Sequence, residues 1–299
     1  MQKLLRDIAD FMALPHADGI GTNTVAYHYK FGDGLGRRYA TGPSFQNITG
    51  GLRKALARKS YYDIDFENSY PTILSHTFLQ KGGSADDIPT FLRYCEQGRR
   101  EELLDAIRGY YEVPRDAAKN LFIVLCHGGG IDGKRWIHRG KSVSSGWMNQ
   151  WDVNASVRVK VSTDGHLPLV TSFQQECGVI CDRLLAAYPE FMSVLEQVNA
   201  SLPAGGREKK PITALSHLMA TLEDGLLQSL EQFFRGEGYD VDSLEFDGLK
   251  PRRHDGDTGA FPEAILRRAE AHLAVQRLRG GVTIPMKLSE KALDSRFLA

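Results

Sequence analysis

The sequence predicts an α+β fold: an antiparallel sheet with helices, its strands near both ends of the chain and a helical lobe inserted between them. Three observations predict it. Runs rich in β-branched and aromatic residues, bounded by Gly, Pro, Asn and Asp, fall early (24–31 and 60–66) and late (239–251 and 282–289). Segments with helical apolar spacing fill the middle. No internal repeat or long low-complexity run breaks the chain.

The elements follow in order. Residues 1–15 read as a short amphipathic helix without a secretory h-region. Residues 24–31 alternate as a strand, and GDGLGRR after them is turn-rich. SYYDIDF (60–66) is β-rich and leads into NSYPTILSHTFLQ, helical after Pro71. Residues 86–111 read as helices with an exposed charged turn at Arg99–Glu102. Pro114 opens a helix over 115–126, closed by Gly128, Gly129 and Gly130. Residues 131–170 are mixed, with Trp136, Trp147 and Trp151 among basic residues; these rings suit either a core or a platform for stacked bases. Residues 171–200 are helical, 201–211 a loop, and 212–235 a long amphipathic helix. YDVDSLEFDGLKP (239–251) is a hairpin; 261–279 is a basic helix; VTIPMKLS (282–289) is a last strand.

Composition bounds the function. The chain has 299 residues, 42% apolar and 25% charged, which is globular chemistry. No apolar run reaches the roughly 18 residues of a membrane span, so no membrane partner and a cytoplasmic location are expected. Cys95, Cys126, Cys177 and Cys181 form no C-x-x-C pair and read as buried, reduced thiols. The net charge is zero. Lys and Arg are nevertheless in excess over residues 1–60, and Lys134, Arg135, Arg139, Lys141, Arg158 and Lys160 stand against Asp152 alone. Such local basic faces can hold phosphates on a neutral chain.

Two acidic residues carry the candidate chemistry. Asp65 ends a β-rich run, and Asp247 sits at the hairpin turn in Leu244-Glu245-Phe246-Asp247-Gly248-Leu249. Apolar neighbours would fix both strands. Phosphoryl transfer from a nucleoside triphosphate uses two divalent ions about 3.5–4 Å apart, held by carboxylates on rigid elements. Asp63 shares a strand face with Asp65, and Glu245 with Asp247, so each is a secondary candidate.

Ordered motifs add a resemblance. Gly36-Arg37, Pro43 and Gln46-Asn47-Ile48 look like the G-R-x5-P-x2-Q-N-I segment of family A (polymerase I-like) DNA polymerases. Asp65-Phe66 with Tyr70-Pro71 resembles motif A of palm polymerases. Arg115 and Lys119, then His127-Gly128, resemble motif B, R-x3-K-x7-Y-G. Phe246-Asp247-Gly248 stands where motif C would be, and Ile284-Pro285-Met286-Lys287 resembles the closing strand. The likeness spans 36–130 and 212–290.

The resemblance implies a polymerase palm with an inserted helical fingers lobe and a reduced thumb. The implied domains are a duplex-contacting segment over 1–60, palm over 61–80 and 206–299, and fingers over 81–205. It implies template-directed addition of dNTPs to a primer 3′ end, with two Mg²⁺ ions, or Mn²⁺, on Asp65, Asp247 and the Phe66 backbone. Arg115, Lys119, Tyr70, Ile123 and His127 would contact the incoming nucleotide. Arg37, Gln46, Asn47, Arg53 and Gly128 would contact primer–template DNA. Tyr70, five residues after Asp65, is the candidate steric gate against ribonucleotides. The chain departs from the family at His127 (usually Tyr), Ile123 (usually aromatic) and Phe246-Asp247-Gly248 (usually His-Asp-Glu). The length before motif A leaves no room for a proofreading exonuclease, so low processivity and reliance on a clamp, helicase or primase partner are expected. Copying a phage or plasmid replicon in the host-cell cytoplasm fits that picture. A primase-polymerase, a template-independent nucleotidyltransferase and a non-catalytic nucleic-acid-binding protein of the same fold stay open.

Overall fold

The computed structural model describes residues 6, 9, 25–29, 34–42, 44–48, 50–129, 135–139, 156–160, 166–203, 205–206 and 208–291. Pro43, Gly130, Trp147, Trp151 and most of the expected N-terminal helix lie outside them. The elements run β1 (Tyr27–Tyr29), β2 (Arg38–Ala40), α1 (Gly50–Ala57), β3 (Ile64–Phe66), α2 (Ser69–Gln80), α3 (Pro89–Cys95), α4 (Arg99–Tyr111) and α5 (Arg115–Cys126). They continue β4 (Arg135–Arg139), β5 (Ser156–Lys160), α6 (Pro168–Ala187), α7 (Glu190–Ala200), α8 (Pro211–Gly236), β6 (Val241–Glu245), β7 (Gly248–Pro251), α9 (Glu263–Val275) and β8 (Leu288–Glu290). The fold is α+β, with antiparallel sheets and helices. No helix among the described residues is long and apolar enough to cross a membrane.

The chain divides into two compact units, 1–69 with 219–299, and 70–218. The divisions fall inside α2 and α8. The N-terminal segment joins the sheet unit because side chains bind it to α8, as described below.

The sheet unit is built on four antiparallel strands in the order β6-β7-β3-β8. Period-2 alternation decides which residues face the core. Tyr62, Ile64 and Phe66 point one way and are buried, with Leu244, Leu249 and Leu288. Leu222, Leu226, Leu230 and Phe234, at helical spacing on α8, are buried too, as are Leu266, Ala269 and Leu273 of α9. Asp63 and Asp65 point the opposite way. In register with them on neighbouring strands stand Lys250, Gly248 and Ser289, with Ser243 and Glu245 beyond. One face of the sheet is therefore apolar and the other carries charge.

β8 covers Leu288–Glu290 where 282–289 was expected, and its first amide, at Leu288, donates to the Glu270 carboxylate (3.0 Å). Only Ile64–Phe66 of the run 60–66 joins the ladder; Tyr61 makes an isolated bridge to Arg252.

The helical unit packs on aromatic rings. Phe91 stacks on Phe173 (centroids 4.9 Å), and Phe122 meets both Tyr94 (4.2 Å) and Phe173 (4.6 Å). The buried carboxylate of Glu176 accepts the amides of Thr90 (3.1 Å) and Phe91 (2.6 Å) at the start of α3. These donors would otherwise lack partners in the first helical turn. The expected helix over 171–200 is two helices, α6 and α7, parted at Tyr188-Pro189 because proline disfavours a helical residue before it. The mixed segment 131–170 contains a hairpin, β4–β5, with Trp136 opposite Val159. Cys126 and Cys177 are buried, and burial raises the Cys126 thiol well above its usual range.

Candidate functional site

Strand register brings the backbones of the two candidate aspartates close together. Asp65 of β3 lies opposite Gly248 of β7, and Asp247 precedes that glycine in the β6–β7 turn. The Phe66 amide donates to the Asp247 carbonyl (2.9 Å), tying the end of β3 to the turn. A Cβ on Gly248 would fall 2.0 Å from Asp65 Oδ1 and 2.6 Å from the Ile64 carbonyl oxygen. Glycine here is a steric necessity: the Asp65 carboxyl group fills the space a side chain would take. The acidic head of Asp65 therefore leans toward the Asp247 turn.

The turn is strained. Phe246 has φ 28°, in the left-handed region that favours glycine. Its two-residue connection, Phe246-Asp247, is the kind in which glycine is preferred at the first central position. The ring is held by the Arg37 guanidinium, 5.1 Å from its centroid, and by the edge of Tyr39 at 6.3 Å.

Charge on the polar face is closely balanced. Asp65 is 6% exposed and pairs with the Lys291 ammonium. Lys250 is buried between Asp63 (2.6 Å) and Glu245 (3.2 Å), and Arg53 of α1 reaches Glu245 at 3.1 Å. Burial raises the Glu245 carboxyl pKa while Lys250 and Arg53 oppose the shift. Asp63 and Glu245 thus belong to an internal ion network.

Behind the turn, α8 supplies an acidic ridge. Glu223 is buried; it accepts the Ser69 hydroxyl (2.7 Å) and pairs with Arg37 (2.5 Å). Burial lifts its carboxyl to about 7, Arg37 and Ser69 pull it down, and the charge of Asp247 pushes it up. The β1–β2 hairpin docks on this ridge. Arg38 binds Asp224 (2.8 Å) and Glu231 (3.2 Å), the Tyr29 hydroxyl donates to Asp224 (2.7 Å), and the Gly36 amide donates to Thr221 (2.7 Å).

The expected duplex contacts are largely engaged within the protein. Gln46 accepts the Ala40 amide (3.0 Å) and donates to the carbonyls of Arg38 (3.1 Å) and Leu244 (2.8 Å). Both amide hydrogens of Gln46 are committed, so it braces the hairpin against β6. Asn47 donates to the Gly42 carbonyl (2.7 Å), and Arg53 to that of Phe45 (3.1 Å).

In the helical unit, Arg115, Lys119, Ile123 and His127 recur every four residues along α5 and its end, which aligns them on one stripe. Arg115, Ile123 and His127 are exposed and Lys119 is half-buried. Arg115 forms a two-point ion pair with Glu101. His127 stacks, tilted, on Tyr70 with centroids 4.2 Å apart. The Tyr70 hydroxyl is buried beside the Ser216 hydroxyl, and burial raises its pKa. Gly128 has φ 70°, and a Cβ there would fall 2.6 Å from Ile212. Packing accounts for that glycine without a nucleic-acid contact.

Glu223, Lys250 and Lys291 are part of the site and do not stand out in the sequence. A trace exists for one of them: Glu223-Asp224 is an acidic pair inside an otherwise apolar helical run. The partners of the two lysines depend on strand pairing between distant segments.

No family model matches the chain. The putative helicase V13 of Sputnik virophage is 24% identical over 282 residues, covering 94% of this chain. The chain spans 31% of the length of that relative. The POL domain of Pol1 from M. smegmatis, solved in complex with DNA primer-template and dNTP, aligns with 97% of this chain and 50% of its own, at 13% identity and a TM-score of 0.45.

Proposed function

We propose that this chain is a template-directed DNA polymerase that adds dNTPs to a primer 3′ end by metal-assisted phosphoryl transfer. The observation that carries the reading is the Asp65 carboxyl group lying over Gly248, one residue from Asp247, on adjacent antiparallel strands. Two carboxylates held on rigid neighbouring elements are what metal-assisted phosphoryl transfer asks of a protein.

Divalent cations fit this donor set. Among the described residues no three His, Cys, Asp or Glu side chains converge as a cage. Mg²⁺ does not need one: it takes one or two carboxylates and completes its shell with water and phosphate oxygens. Asp65, Asp247 and the Phe66 main chain would hold the ions, with Mn²⁺ as an alternative. When bound, they would activate the primer hydroxyl and neutralise the leaving pyrophosphate. Lys291 must release Asp65 for a cation to bind there. Lys119 and Arg115, on their shared stripe, would balance triphosphate charge, with Arg115 exchanging Glu101 for phosphate. Tyr70, stacked on His127, would bar a 2′-hydroxyl.

The test is extension of a labelled primer on a template with dNTPs and Mg²⁺, in the wild type and in Asp247→Asn. Extension by the wild type and its loss in the variant are expected. A wild type that extends nothing with Mg²⁺ or Mn²⁺ would reject the reading. Omitting primer, then template, separates primer extension from de novo initiation and from template-independent transfer.

A further inference from the structure

We infer that the outward face of the β1–β2 hairpin and the Phe246 turn form a stacking platform for the bases of a single nucleic-acid strand. This rests on the nucleic-acid role proposed above and adds a second kind of contact to it.

The platform follows from strand alternation. In β1, Tyr27 and Tyr29 turn inward: the Tyr27 hydroxyl accepts the Leu244 amide (3.1 Å), and the Tyr29 hydroxyl donates to Asp224 (2.7 Å). In β2, Arg38 turns inward to Asp224, and Ala40 is buried. His28 and Tyr39, paired in register, are left on the outward face. Their rings are 6.3 Å apart, and Tyr39 is in turn 6.3 Å from Phe246. His28 is exposed; Tyr39 is 39% and Phe246 37% exposed. The Thr41 hydroxyl, 3.1 Å from His28 Nδ1, fixes the outermost ring. Three exposed aromatic rings thus form a row that ends at the residue before Asp247, with the Arg37 cation over the last.

Two features make this row a binding surface. Phe246 occupies a backbone conformation suited to glycine while more than a third of its surface stays in water. A strained aromatic that buries so little contributes poorly to stability, and such strain concentrates at functional positions. The spacing then selects the ligand. Bases in a duplex follow each other at roughly 3.4 Å per strand, about half the ring-to-ring step seen here. Successive rings can each meet a base only on a strand whose bases are drawn apart. Aromatic rings with an arginine are a common way to bind single strands without reading sequence.

The experiment measures anisotropy of a labelled oligo-dT with the full chain in EDTA, where no chemistry occurs. Phe246→Gly and Tyr39→Leu should each weaken binding roughly 5- to 100-fold, the loss expected for one stacked base. Tyr39→Phe should retain it. Phe246→Gly relieves the turn, so a thermal melt at or above that of the wild type shows an intact fold. Binding to blunt duplex should change less than about two-fold. Oligo-dT affinity unchanged in both folded variants, or an equal loss on duplex, overturns the inference. If the wild type extends primers while these affinities are unchanged, only this inference falls. If oligo-dT binding depends on the rings but no primer is extended, the polymerase reading falls and the platform stands.

Discussion

Replacing Gly248 with alanine adds one methyl group where the β3–β7 ladder and the Asp65 carboxyl group already occupy the space. The new carbon would sit 2.0 Å from Asp65 Oδ1, 3.0 Å from its Cγ and 2.6 Å from the Ile64 carbonyl oxygen. The carboxyl group can rotate away; the carbonyl cannot move without opening the ladder. No left-handed backbone angle is involved, so the penalty is pure overpacking, about 1–3 kcal/mol. Relief of the clash requires Asp65 to swing off the Asp247 turn, and a misplacement near 1 Å can cost on the order of 100-fold in rate. Gly248→Ala should therefore lower the urea midpoint of the sheet unit and cut Mg²⁺-dependent primer extension by at least ten-fold. Both are read on the same preparation. Wild-type midpoint together with wild-type extension would refute the claim that the Asp65 head fills this space.

Three other outcomes are expected. Lys250→Met strands the carboxylates of Asp63 and Glu245 without their buried partner, a loss of about 3–5 kcal/mol in urea denaturation; adding Asp63→Asn should recover part of it, and an unchanged midpoint in the single variant contradicts the network. Glu223 binds its proton more tightly when folded, near pH 7 against the usual 4.5, so its contribution favours the fold below pH 4.5 and is lost as pH rises through 7. Without divalent ions, Glu223→Gln should flatten this part of the stability–pH curve, on the order of 3 kcal/mol across that window; parallel curves would exclude a raised Glu223. Tyr70→Ala should raise incorporation of ribonucleotides at least ten-fold in primer extension, whereas intact discrimination would remove Tyr70 as the gate.

Local chemistry was readable in advance where it alone decides structure. Pro114 and the apolar spacing after it delimit α5 at Arg115–Cys126, and the late hairpin falls inside 239–251. The opposition of Asp65 to the 246–248 turn follows less from either segment than from the order of their motifs. What escaped the sequence depends on long-range pairing. Lys250 resembles any strand-end lysine until β3 brings Asp63 to it, and Lys291 lies beyond the expected strand. Gln46 has the chemistry of a ligand contact, yet its amide is taken up by Arg38, Ala40 and Leu244. Side-chain type gave its capacity to hydrogen-bond, and only the fold decides with whom.

The sequestered thiols of the helical unit offer a clock for its motions. Cys126 and Cys177 have little contact with water. A thiol-specific reagent can reach them only when the packing around Phe122 and Phe173 opens, so their labelling rate counts those openings. A nucleotide that grips the α5 stripe would slow the count, reporting occupancy without any catalytic turnover.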